Sequence, residues 1–337
     1  ALTSCNESSF LNLSDPNHFT ESNFWKDKAD AESALAAAYS PIKGAMYGYF
    51  GAFDGWLNLN GRGDDIFTIK GEEVPMWNIA NFLNSPSTGN DPYGALYSGI
   101  QRANIVLRYI DQVPASGITE EDRSMIKGEA LFLRGYQYFL LVNNYKEVPL
   151  RLIPSNEDET NKGPASEAAL WTQVEEDLGN AIKCNLPVER TTAKERVTKG
   201  AAIAMLGKVY ATQHRYPEAK QLLGTLLKAP YSYELIDNFG KNFTNEDEFN
   251  KESVYEIAYS PDGEYSWSNE SGICLGCYIP QFTGPVKSGG WAKLMPNSFI
   301  VGEFTRETRP NDADTKFDRR MYASLFFDAA NYGDKVP

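Results

Sequence analysis

Four cysteines, two histidines and six tryptophans carry most of the chemical potential of this chain. Cys5 follows Leu2, Thr3 and Ser4. A leucine, two small residues and a cysteine make up the cleavage and acylation box of a secreted lipoprotein. Small side chains let the backbone enter the peptidase cleft, and the thiol carries the lipid. Cys5 is therefore expected to be lipidated. Each buried methylene contributes about 0.8 kcal/mol, so more than one acyl chain gives a stable anchor. Cys274 and Cys277 have C-x-x-C spacing, but Cys5 and Cys184 form no second pair, and His18 and His214 are scattered. That pattern predicts no metal site. The pair lies in a Gly- and Pro-rich region, unlike the strand-to-helix turn of a thioredoxin-like motif. A local disulfide or two inert thiols is the first reading, and redox or metal chemistry the lesser alternative. The 45 acidic residues contain no distinctive acid–base pair. His18 falls in a polar N-terminal stretch and His214 in an inter-helix turn, so no catalytic residue and no cofactor are expected.

The net charge of −13 repels phosphate backbones and anionic head groups, so nucleic acid is not an expected partner. A neutral ligand such as a sugar is compatible with that charge. No apolar run approaches the roughly 20 residues of a membrane helix. Aromatic residues make up 13% of the chain, with 19 Tyr and 18 Phe. That is more than a helical core uses, which places some of them on a binding surface.

The segments that must position such a surface are mostly helical. Residues 6–20 form a polar tether containing Pro16. Phe24, Trp25, Ala31, Leu35, Ala38, Tyr39 and Ile42 recur at helical spacing over 24–43. A second helix is predicted near 93–110, with Leu96, Ile100, Ala103, Leu107 and Ile110 on one face. A third is predicted over 119–144, where Thr119 and Asp122 suit a helix start. A fourth opens at Ser166 and closes before Pro187. Within 197–229, Leu206-Gly207-x-x-Tyr210 is followed by Ala219, Leu223 and Pro230, close to the offsets of a tetratricopeptide unit. Gly207 is expected against Ala219, with Tyr210 and Leu223 filling the groove beside them. Ser253–Tyr259 alternates like a strand, and 260–298 is a long Gly-, Pro- and aromatic-rich stretch of the kind that is usually functional. Trp25, Trp56 and Trp171 are assigned to packing.

The order of these segments resembles the SusD/RagB family. The resemblance rests on Phe24-Trp25 with 31–39, Tyr97-Ser98-Gly99-Ile100-Gln101-Arg102-Ala103-Asn104, and Lys127-Gly128-Glu129-Ala130-Leu131-Phe132-Leu133-Arg134-Gly135-Tyr136. It continues through Val148-Pro149-Leu150, residues 171–181, Arg196-Val197-Thr198-Lys199-Gly200-Ala201-Ala202, Tyr233-Glu234-Leu235 and Glu252-Ser253-Val254-Tyr255-Glu256-Ile257. The resemblance implies a mainly α, tetratricopeptide-like helical-repeat scaffold with long decorating loops and a few short strands. It implies a lipid tether over 1–20 and one SusD-like domain over 21–337, with its helical core at about 24–230 and a loop-rich ligand-binding part at about 231–337. Family members commonly continue past the segment that ends here. It further implies a glycan-binding lipoprotein on the extracellular face of the outer membrane, working with a SusC-like TonB-dependent transporter. A peptide- or protein-binding RagB-like subunit is the alternative.

By segment, the resemblance places ligand contacts in an early and a late loop. The early loop offers Arg62, Asp64, Asp65, Trp77, Asn78 and Asn81, and the late loop Tyr265, Trp267, Tyr278 and Trp291. Sugars present flat C–H faces to aromatic rings and hydroxyls to fixed polar groups, which these residue types supply. Trp267, in Tyr-Ser-Trp-Ser-Asn, is the leading platform. Trp77 and Trp291 could equally anchor their loops, and Arg62-Gly63-Asp64-Asp65 could be a turn.

Overall fold

The computed structural model describes residues 24–43, 50, 55, 60–68, 74–83, 92–155, 157–260, 276–306 and 317–326. Cys5, the 6–20 tether, His18, Trp56, Tyr265, Trp267 and Cys274 lie outside them.

Helix α1 (Lys28–Lys43) buries Ala31, Leu35, Ala38 and Ile42, one apolar stripe at spacings of three and four. Its start is capped by Asp27, whose carboxylate accepts from the Asp30 N–H at 3.1 Å. A seven-residue helix, α2 (Val74–Ala80), precedes α3 (Tyr93–Tyr109), which buries Leu96, Ile100, Ala103 and Val106. Helix α4 (Glu120–Tyr145) begins at Thr119, whose hydroxyl accepts from the Asp122 N–H at 3.1 Å. Buried positions run almost continuously from Gly128 to Val142. A helix apolar nearly all round belongs at the centre of a stack.

After the short α5 (Glu157–Thr160), α6 (Glu167–Lys183) starts at Ser166, which caps the Ala169 N–H. Helices α7 (Lys199–Thr212) and α8 (Tyr216–Leu223) form the predicted hairpin. Packing runs α1–α3–α4–α6–α7–α8, so that each helix of the series covers the next. This is a mainly α, tetratricopeptide-like scaffold with decorating loops and a few short strands. Trp25 stacks on Tyr109 at 5.7 Å, and Trp171 meets Phe139 edge-on at 6.0 Å, so both pack against the core as expected.

Two expectations are corrected. A Cβ built on Gly207 would lie 2.4 Å from Leu223 Cδ2, and the three atoms nearest to it all belong to Leu223. The missing side chain of Gly207 thus admits Leu223, while Ala219 is buried further up α8. Ser253–Tyr259 forms no strand. Its alternation instead places rings on the helices: Tyr255 packs edge-on against Phe132 at 5.4 Å, and the Tyr259 hydroxyl donates to the Lys43 carbonyl at 2.7 Å.

Buried charge ties the stack together. The Glu129 carboxylate is 0% exposed and receives Arg190 at 2.7 Å, Arg196 at 2.8 and 3.0 Å and the Tyr39 hydroxyl at 2.6 Å. Tyr39 in turn accepts from the Val197 N–H at 3.0 Å. Burial, reinforced by the negative Glu129, holds the Tyr39 phenol well above its ordinary pKa.

Two segments outside the stack build a second small body. Strand β1 (Ile66–Phe67) pairs antiparallel with β2 (Met295–Pro296), matching Ile66 to Pro296 and Phe67 to Met295. Met76, Tyr278, Phe282 and Leu294 bury one another beneath this clip, with Ile66, Ile279 and Trp291 against them. Helix α9 (Ile279–Thr283) supplies Phe282, and α10 (Ser298–Arg306) and α11 (Arg319–Ser324) follow.

Candidate functional site

The early and late loops are far apart in sequence, yet they meet in this second body. Asn297 is the joint. Its N–H donates to the Asp65 carbonyl at 3.0 Å, and its Nδ2 donates to the Asp64 carbonyl. Its Oδ1 accepts the Ile300 N–H at 3.1 Å, capping α10. One amide side chain therefore fixes a turn from one loop and a helix start from the other. Arg62 reaches the opposite way, donating to Asn144 Oδ1 at 3.0 Å near the end of α4, so the lobe is moored to the scaffold. Asp64 and Asp65 remain exposed beside it.

Helix α2 places Trp77 and Asn78 half-buried and puts Met76 into the small core. The Asn81 amide folds back to donate to the Trp77 carbonyl at 2.8 Å. Beyond the helix, Phe82 and Leu83 project, 74% and 54% exposed. On the late loop the Trp291 N–H donates to the Gln281 carbonyl at 2.7 Å, and its ring lies 5.1 Å from Phe282. Trp291 is thus partly spent on anchoring its loop. Tyr278 is only 7% exposed, so its ring belongs to the small core and not to an open face. Burial pushes the neighbouring Cys277 thiol up, and a backbone hydrogen bond to Ile279 opposes that only partly.

Arg62, Asp64, Trp77, Asn78, Asn81, Tyr278 and Trp291 all fall in or beside this one lobe. Reading the sequence missed Asn297, although an asparagine just before a helix is a recognisable cap. Its partner carbonyls carried no signal. It also missed Glu129 and Arg134 as partners for other helices, because the residues that bind them lie outside α4.

The lobe offers half-exposed rings, amides and carboxylates, a set that can stack on and hydrogen-bond a polar, flat-faced ligand. His214 sits on the distant hairpin, where its Nδ1 is 2.8 Å from the Tyr216 hydroxyl. Among the described residues, no three His, Cys, Asp or Glu side chains converge as metal ligands, and no helix is long and apolar enough to cross a membrane.

Residues 65–211 match the family model described as starch-binding and associating with the outer membrane, and residues 251–336 match the model of the SusD family. SusD-like protein P38 of Formosa agariphila is 25% identical over 356 residues, covering 96% of this chain and 66% of its own length. Among solved structures, a SusD superfamily protein of Bacteroides vulgatus is 29% identical with a TM-score of 0.75, covering 89% of this chain and 61% of that one. A laminarin-binding SusD-like protein is 28% identical with a TM-score of 0.74, covering 82% and 63%. The chain thus spans slightly less than two thirds of each relative's length. The two family matches fall in order on the helical scaffold and on the loop lobe, and the chain belongs to the SusD/RagB family.

Proposed function

We propose that this protein is a non-enzymatic surface lipoprotein that captures a neutral oligo- or polysaccharide. In this reading it is held on the outer face of the outer membrane through Cys5, and it delivers its ligand to a SusC-like TonB-dependent transporter. The observation that carries the reading is the junction at Asn297, which unites two aromatic- and amide-bearing loops into one lobe on a rigid helical stack. Laminarin binding by a relative of the same fold supports a glucan-class ligand. Trp77 and Trp291, with Asn78, Asn81, Asp64 and Arg62, frame the proposed site, and Trp267 and Tyr265, which lie outside the described residues, are proposed as further ligand contacts. Tyr278 supports the floor.

Calorimetry with laminarin, starch and xylan tests the reading. Wild type should bind at least one of them, with affinity that changes little between low and high salt, because a neutral sugar releases no counterions. Trp77→Ala and Trp267→Ala should each weaken binding about tenfold or more, as expected for anchor aromatics. Full binding by both variants would remove these residues from the site. Steep salt dependence would move the ligand to a charged polymer or a peptide.

A further inference from the structure

We infer that Phe82 is a ligand-stacking residue of the same site, presenting its ring to the C–H face of a neutral sugar. The inference rests on the glycan-binding reading and adds a residue that the sequence did not single out.

The end of α2 is a Schellman turn. The Phe82 N–H donates to the Ile79 carbonyl at 3.1 Å, and the Leu83 N–H to the Asn78 carbonyl at 2.8 Å. This closure requires a left-handed residue just past the helix, a position that glycine fills most readily. Here the residue is Phe82, at φ +57°. A bulky aromatic residue with positive φ is a genuine outlier, since its Cβ crowds the backbone.

Packing does not account for it. Phe82 is 74% exposed, and among the described residues it belongs to neither buried core cluster. At Phe249, which also has positive φ, the ring is half-buried and lines a cavity of about 180 Å³ with Tyr231 and Tyr233. Phe82 therefore carries two costs, a strained backbone and an apolar side chain in water, and among the described residues neither core cluster takes up its ring. Strain of this kind concentrates where a ligand makes the compensation.

The surroundings name the ligand class. Phe82 follows Asn81, whose amide donates to the Trp77 carbonyl, so Phe82 lies five residues beyond Trp77, just past the end of the short helix that carries it. Leu83 extends the apolar patch. Phenylalanine has no polar handle, so it suits an unsubstituted pyranose face, while Asn78 and Asn81 remain for the hydroxyls.

The test is affinity electrophoresis of the full-length protein in gels containing laminarin, starch or xylan, with thermal melts of the same samples. Phe82→Gly should melt at the same or a higher temperature, because glycine relieves the left-handed strain, and should bind about tenfold more weakly. Phe82→Tyr keeps the ring and the strain, and should retain wild-type retardation. If Phe82→Gly binds like wild type while Trp77→Ala does not, the inference falls and the site stands. If Phe82→Tyr loses binding, or Phe82→Gly loses binding together with melting temperature, the ring is not acting as a stacking face and the inference falls. If no polysaccharide retards wild type, the glycan reading and the inference fall together.

Discussion

Arg134 on α4 grips Asp177 on α6 through two parallel hydrogen bonds of 2.8 and 2.6 Å, deep between the two helices. The same guanidinium donates to Asn104 Oδ1 on α3 at 2.9 Å, so one side chain joins three helices that are neighbours in the stack. Asp177→Ala would leave that cation buried without its partner and should cost about 3–5 kcal/mol. Urea denaturation checks this, and a loss below about 1 kcal/mol would show that the fork adds little beyond surface pairing.

The α7–α8 hairpin is set by Gly207 and Leu223. Gly207→Ala places a methyl group on the Leu223 side chain, and overpacking of this kind costs about 1–3 kcal/mol. Leu223 is 36% exposed and has room to swing, so the lower end is expected. Adding Leu223→Ala should relieve part of the loss, and a double-mutant cycle gives the coupling. Strict additivity would mean the two residues do not touch.

Alkaline stability should report on Tyr39. Its folded pKa is raised, first by burial and then by Glu129, above the ordinary phenol value of about 10. The neutral phenol's contribution is complete below the unfolded pKa and is lost as pH rises toward the folded one. Stability should therefore fall above about pH 10. Tyr39→Phe removes one phenol, so it should be less stable at neutral pH and have a shallower alkaline decline. Melts across that range decide it, and an unchanged slope would place the Tyr39 ionisation in water.

Membrane attachment is expected to rest on Cys5. Cys5→Ala should move the protein into the soluble fraction when the transporter gene is deleted. Retention in the outer membrane under that condition would point to a different anchor.

The helices and their ends were readable because their causes are local. Apolar spacing gave α1, α3, α4, α6 and the hairpin, and Thr119 and Ser166 cap the helices they precede. Partner choice was less readable. Gly207 announced a close approach, but Leu223 or Ala219 could have filled it, and only the helix crossing decides. The alternation at Ser253–Tyr259 fits a strand and fits equally an extended segment laid on helices, since both put every second side chain down. The candidate site was legible only as two loops carrying residue types suited to a sugar. Its assembly was not, because Asn297 meets Asp64 across 233 residues of chain. Tyr278, a ligand contact by residue type and segment, is instead buried with Met76, Phe282 and Leu294.

The clip at Ile66–Phe67 and Met295–Pro296 is only two residue pairs long, whereas the helices of the stack interlock through buried charge and a continuous core. Structure held by so few hydrogen bonds opens locally at far lower free energy than the whole molecule unfolds. Its amides should exchange with solvent long before those of α4 do. Opening of the clip and unfolding of the stack should therefore be separate events, told apart by the exchange rates of the two sets of amides.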